Sequence, residues 1–194
     1  MINDLIAKRK SIKQFDNVSV TNEEIISLFE AARRAPSAFN EQPWRFIIAH
    51  QQNDQEFNAV LETLSDKNKE WAQASSLLVV VLSKKYLSKT GRSNRHYMYD
   101  TASAVANLTF QALTFNLSVH QMGGFDKEKV INGFLVPEEF EPVVILAIGK
   151  KLKTDGTKSL IATELNRLPV SEILFEGKFG EVSNILNSKV NFFN

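Results

Sequence analysis

Cysteine is absent from the 194 residues, which excludes a disulfide framework, a thiolate zinc site, an iron–sulfur cluster and a cysteine nucleophile. Histidine is scarce: His50, His96 and His120 complete the set, and their spacing fits no metal-ligand pattern. A dominant charge of one sign is also missing. Lys plus Arg number 23 against 22 Asp plus Glu, a formal net charge of +1 that gives no field to draw in nucleic acid or an acidic membrane. The longest apolar runs, 77–82 and 143–148, fall far short of the roughly 20 residues a spanning helix needs. The opening MINDLIAKRK places an acid ahead of its cations with no apolar stretch behind them, so it does not read as a secretory signal and a cytoplasmic location is expected. The five prolines and eight glycines are scattered, and neither a repeat nor a low-complexity tract is present. One domain over residues 1–194 is expected, with 43% hydrophobic residues to build its core. The phosphate loop, G-x-G-x-x-G, G-x-S-x-G and H-E-x-x-H signatures are all lacking.

What is present is a periodic chain richer in helix than in strand. Thr21-Asn22-Glu23-Glu24 makes a capping box, Ile25, Leu28, Phe29 and Ala32 follow at helical spacing, and Pro36 ends the run. Helices are also expected over 1–8, near 55–64, over about 67–73 and over about 94–116, with a brief one after Asp126 ending at Gly133. Strands are expected over 44–49, 77–82, 117–121 and 143–148, the second and fourth buried on both faces. Residues 135–142 read as a connection in which Pro137 starts a turn of helix. The long helix carries small residues, Thr101, Ala102, Ser103, Ala104 and Ala106, which suit either tight core packing or a subunit interface. Beyond Gly149 the apolar Ile173, Leu174, Phe175, Phe192 and Phe193 need something to cover them, and a partner subunit is one candidate.

Three short clusters concentrate anion-binding and amide groups. Arg9-Lys10-Ser11-Ile12-Lys13 sets cations and a hydroxyl at a helix end, a fork suited to a phosphate monoester; a solvated basic helix end is the alternative on this segment alone. Pro36-Ser37-Ala38-Phe39-Asn40-Glu41-Gln42-Pro43-Trp44 offers donors and acceptors for the edge of a heterocycle, or is merely an Asn/Ser turn. Gln121-Met122-Gly123-Gly124-Phe125 bares backbone N–H groups after a strand, as a plain turn also would. Between the second and third clusters, Lys84, Lys85, Lys89, Arg92 and Arg95 surround Gly91; this stretch reads as a solvated mobile loop, with attraction of a ligand's phosphates as the alternative.

R-K-S-x-K, P-S-x-x-N-x-Q-P-W and Q-M-G-G-F, in this order, resemble the FMN-dependent nitroreductases over nearly the whole chain. Asn68-Lys69-Glu70-Trp71 is similar to that family's N-x-x-W element, and residues 166–169 through 177–180 to its closing R-x-P segment. The resemblance implies an α+β fold around a mixed, mainly antiparallel sheet flanked by helices. It further implies an intertwined homodimer with FMN at the interface and a tail, about 178–194, on the partner. By motif, Arg9, Lys10, Ser11 and Lys13 would hold the phosphate and ribityl end, with Arg167 closing the same site. Pro36, Ser37, Ala38 and Asn40 would reach the flavin from the partner subunit, with Gln42 as a neighbour. Asn68 would meet the pyrimidine edge, and Gln121, Met122, Gly123 and Gly124 would run along the ring with a backbone N–H aimed at N5. The departures from the family pattern are Asn116 where glycine is usual and Lys13 where Arg or another basic residue is common; Asn tolerates the left-handed conformation and Lys keeps the charge.

The activity implied is an NAD(P)H-dependent oxidoreductase. Hydride would pass from NADH or NADPH to flavin N5 and on to a nitroaromatic, a quinone or a similar small-molecule acceptor by ping-pong chemistry. No catalytic side chain, metal, nucleic acid or membrane enters this reading. Reductive dehalogenation or a specialised dehydrogenation within the same superfamily, and a flavin-binding redox sensor with negligible turnover, are the rivals.

Overall fold

In the computed structural model, which describes residues 2–152 and 167–187, strands form where β-branched and aliphatic residues run together. β1 (Trp44–His50), β2 (Leu77–Lys84), β3 (Leu117–Met122) and β4 (Phe140–Lys150) make one sheet in the order β1-β2-β4-β3. Each of these pairs is antiparallel, in keeping with the expected α+β class. β2 is buried on both faces from residue 77 to 83, as its unbroken apolar run requires. β4 starts at Phe140, earlier than the expected 143, because Pro142 is accommodated: the register against β2 shifts between Val81 and Leu82, and the pairing with β3 ends at Ile145. No ladder bond is therefore asked of the missing proline N–H. Pro137 heads a turn closed by Phe140 N–H on its carbonyl (2.9 Å), and the expected helical turn does not form there.

The helices are α1 (Asp4–Lys8), α2 (Asn22–Arg33), α3 (Asp54–Leu61), α4 (Asp66–Ala72), α5 (Tyr97–Thr114) and α6 (Lys127–Gly133). The capping box of α2 is complete: Glu24 N–H donates to Thr21 Oγ1 (3.2 Å), and Thr21 N–H donates to Glu24 Oε2 (2.9 Å). α5 is shorter than the expected 94–116. At its start the Asn94 side chain takes the His96 N–H (3.0 Å), and at its end Asn116 turns left-handed at φ 57°.

Side chains alternate between two cores. Leu77, Val79, Val81, Leu146, Ile148 and Val119 meet Leu28 and Ala32 of α2 and Ala104, Leu108 and Ala112 of α5. Leu78, Val80, Leu82, Ile145, Ala147 and Met122 meet Phe57 and Val60 of α3, Ala72 of α4, Val130 of α6, and Phe15. Phe15 reaches that layer over Gly149, where an added Cβ would stand 2.9 Å from its ring.

The registers Trp44 with Ser83, Lys84 with Phe140 and Met122 with Ile145 bring one edge of the sheet together. The segment before β1, the segment after β2, the turn after β3 and the turn before β4 all leave from that end. The second described stretch, 167–187, holds a single bridge between Phe175 and Val182 and leaves Leu168, Ile173, Phe179 and Ile185 exposed. Asn166 and the phenylalanines at 192 and 193 lie outside the described residues.

Candidate functional site

The N-terminal cations are placed by a histidine. The segment after α1 follows the β3 edge, where the carbonyl of Ile12 lies 2.7 Å from His120 Nδ1. A carbonyl only accepts, so Nδ1 carries the proton and the tautomer is set. The imidazole packs on Trp71 of α4 with ring centroids 4.4 Å apart, and Lys13 Nζ lies 5.8 Å over the same indole. Burial holds His120 below the usual imidazole range; the bond to Ile12 opposes this, and the charges of Lys13 and Arg9 add to it. Arg9 directs a guanidinium N–H to Ser11 Oγ (3.4 Å). Among the described residues, no ion pair engages Arg9, Lys10 or Lys13.

Three residues further along from His120, past the end of β3 at Met122, the chain opens into the glycine turn. The Gly124 carbonyl accepts from Ser65 N–H (2.9 Å) and from Asn68 Nδ2 (3.1 Å), so two motifs far apart in the chain meet at the start of α4. That contact leaves Asn68 with a second amide hydrogen and its Oδ1. A Cβ on Gly124 would stand 3.0 Å from Ser65 Oγ and 3.1 Å from Asn68 Nδ2, so a larger residue there would push both side chains aside. A Cβ on Gly123 meets nothing within 4 Å, and its backbone is bare toward open space. Gln121 is exposed and Met122 is buried in the sheet.

The Pro36 to Gln42 cluster lies elsewhere. It precedes β1, at the opposite side of the sheet from β3, and is tied to α5: Ala38 N–H donates to the buried Asp100 Oδ2 (3.0 Å). Gln42 N–H donates to Ser37 Oγ (3.0 Å) and Gln42 Nε2 to the Asn40 carbonyl (3.2 Å). Phe39, Asn40 and Gln42 all have left-handed backbones, at φ 55°, 56° and 48°. Such conformations cost a non-glycine residue roughly 1–2 kcal/mol each and gather at binding loops. Phe39 is also 86% exposed, an apolar ring presented to the outside on a strained backbone. Arg167 begins the second described stretch and is exposed.

Within one chain the structure thus brings Arg9, Ser11, Lys13, Asn68 and the 121–124 turn to the β3 side, and Pro36, Ser37, Ala38, Asn40 and Gln42 to the β1 side. Sequence reasoning gave no role to His120, to Asp100 or to Phe39. The signal for His120 was its place on β3, two residues from Met122 on the same inward face.

The residues present suit a planar, phosphate-bearing cofactor: cations without acids, an amide with spare hydrogen-bonding capacity, and a strand end stripped of side chains. Among the described residues no cluster of His, Asp or Glu offers a metal site, and no helix is long and apolar enough to cross a membrane.

Comparison with known proteins points the same way. The fold is similar to that of a crystal structure described as an oxidoreductase containing FMN, with TM-score 0.84 and 27% identity over 93% of this chain and 94% of that one. A nitroreductase family protein from Clostridium difficile 630 shares the fold at TM-score 0.72 and 24% identity, over 90% of this chain and 96% of that one. In sequence the chain is similar to YodC of Bacillus subtilis (strain 168), 26% identical over 203 residues covering 88% of this chain and 96% of that protein. It is likewise similar to the oxygen-insensitive NADPH nitroreductase of Helicobacter acinonychis (strain Sheeba), 26% identical over 88% of this chain and 77% of that protein. The model of the nitroreductase family matches residues 6–150. With the glycine turn, the amide and the unpaired cations assembled on one side of the sheet, that match over most of the chain makes this protein a member of the nitroreductase family.

Proposed function

We propose that the chain is a cytoplasmic, homodimeric FMN-dependent NAD(P)H oxidoreductase that reduces nitroaromatics, quinones or similar small acceptors. The observation that carries this reading is the hydrogen bond from Asn68 Nδ2 to the Gly124 carbonyl, beside cations that no described acid neutralises. Bound FMN would supply the hydride-transfer chemistry that links a nicotinamide donor to the acceptor.

The chain's own residues hold and orient. Arg9, Lys10, Ser11 and Lys13 bind the phosphate and ribityl groups through charge-assisted hydrogen bonds, with Arg167 joining them. His120 pins the Ile12 carbonyl and so keeps that basic segment against β3. Asn68 would offer its free amide groups to the pyrimidine edge, and the Gly123 or Gly124 N–H, with Gln121 and Met122, would line the ring.

A second subunit completes the site with its own Pro36, Ser37, Ala38, Asn40 and Gln42, because β2 and β4 separate that loop from β3 in a single chain. The α5 face bearing the exposed Ala102 and the half-exposed Ala106 and Phe110 is the surface on which two copies meet, and the tail from about 178, with its exposed Phe179 and Ile185, packs on the partner. All 194 residues then act as one domain. Donor and acceptor take turns on the open face, so no acid or base side chain is required.

The test is an absorption spectrum of the purified protein before and after anaerobic NADH or NADPH. Flavin absorbance bleached by either donor is the expected result. Failure of added FMN to bind would overturn the proposal.

A further inference from the structure

Residues 84–95 hold five of the chain's 23 cations and none of its 22 acids. Read from sequence, this stretch is a solvated loop; in the structure it is a closed hairpin. Tyr86 bridges Ser93, Leu87 N–H donates to the Arg92 carbonyl (2.8 Å), Gly91 N–H to the Leu87 carbonyl (2.8 Å), and Asn94 N–H to the Lys85 carbonyl (2.7 Å). Gly91 takes a left-handed φ of 68°, which turns the tip.

The hairpin is fastened to the strained loop before β1. Ser88 N–H donates to Glu41 Oε2 (2.8 Å), and that bond, with the charge of Lys84 nearby, keeps the Glu41 carboxylate below its usual range. Glu41 and Lys84 thus serve to hold the hairpin, Lys84 Nζ donating to Ser88 Oγ (3.1 Å). Lys85 lies 5.8 Å over the Tyr86 ring. Lys89, Arg92 and Arg95 are exposed, and among the described residues no ion pair engages them. Three cations within residues 89–95 without an ion-pair partner among the described residues raise the local positive potential, which an anionic ligand lowers.

We infer that this hairpin is the binding site for the 2′-phosphate of NADPH, with Lys89 and Arg92 as its ligands, and that it makes NADPH the preferred donor. The inference rests on the proposed function, in which the loop before β1 borders the flavin of the other subunit. The hairpin lies one loop further out. The nicotinamide must lie on the flavin, while the 2′-phosphate sits at the far end of the dinucleotide, so the residues that read it belong at such a rim. A phosphate monoester carries nearly two charges, and the Arg fork with a neighbouring ammonium matches it.

The experiment titrates the holoprotein and its Lys89→Ala/Arg92→Ala variant with 2′,5′-ADP and with ADP by calorimetry, a readout that needs no flavin chemistry. The wild type is expected to bind 2′,5′-ADP roughly tenfold or more tighter than ADP, a preference that raised salt diminishes and the double variant loses. Equal affinity for the two nucleotides, or a preference that survives the substitutions, overturns the inference. A parallel loss for both nucleotides also overturns it, since the hairpin would then read only the shared diphosphate. Retention of FMN is measured in the same samples; both variant residues lie outside the flavin cluster, so absent flavin marks failure of the proposed function rather than of the hairpin.

Discussion

His120 joins β3 to the basic segment through the one ring nitrogen that must be protonated, and it does so from a partly buried position. With its folded pKa held below the unfolded value of about 6.5, its contribution to stability is complete above that pH and is lost as pH falls through the folded value. Chemical denaturation between pH 5 and 8 is expected to show this slope, and His120→Gln is expected to flatten it. At the same end of the sheet as the loops, Tyr97 Oη donates to Glu141 Oε2 (2.7 Å), while Lys127 Nζ pairs with Glu141 Oε1 (2.6 Å). The carboxylate pushes the Tyr97 phenol up to about 12, and the Lys127 bond, followed by that of Tyr97, lowers Glu141. Glu141→Gln is expected to return Tyr97 toward 10, visible as an earlier tyrosinate step in an ultraviolet pH titration; an unmoved step would refute the pairing. Phe39 carries a left-handed backbone that a glycine adopts freely. Phe39→Gly is therefore expected to leave stability unchanged or raise it by up to ~1 kcal/mol, with a thermal melt as the check.

Among the elements, the loop before β1 depends on one acceptor. Asp100 is buried in the first turn of α5 and takes the Ala38 N–H, so its carboxylate fixes a segment 62 positions away in the chain. Asp100→Ala strands that donor and is expected to cost about 1–3 kcal/mol in denaturant unfolding, with weaker flavin retention; unchanged retention would detach the loop from the site. Much of this level was legible beforehand. The capping box of α2, the doubly buried β2 and the short strand at β3 each carry a local signal in side-chain spacing. The extension of β4 through Pro142 was not legible, because it depends on a register shift between strands some sixty residues apart. Nor was the hairpin at 84–95, whose closure rests on backbone bonds that polar, charged residues do not advertise. For the site, the motifs named the amides and cations, but the division between the β3 side and the β1 side comes from strand order alone.

At the scale of the whole molecule, the two groups of candidate residues sit on opposite flanks of one sheet, and in the proposed function a second copy joins them. Light scattering is expected to give twice 21.9 kDa, and Ala102→Arg, on the exposed face of α5, is expected to yield a monomer that no longer retains flavin. A monomer that keeps its flavin would place the whole site in one chain. The division also has a genetic consequence. In the proposed dimer, a chain inactivated on its β3 flank and a chain inactivated in its loop before β1 would each form a dead homodimer, yet a mixed dimer would pair the intact flank of one with the intact flank of the other. Random reassociation of equal amounts makes such mixed dimers about half of the population, each with one sound site of its two. Two inactive alleles would thus restore about a quarter of wild-type activity when expressed together, so that the two lesions would complement each other although both lie in one gene.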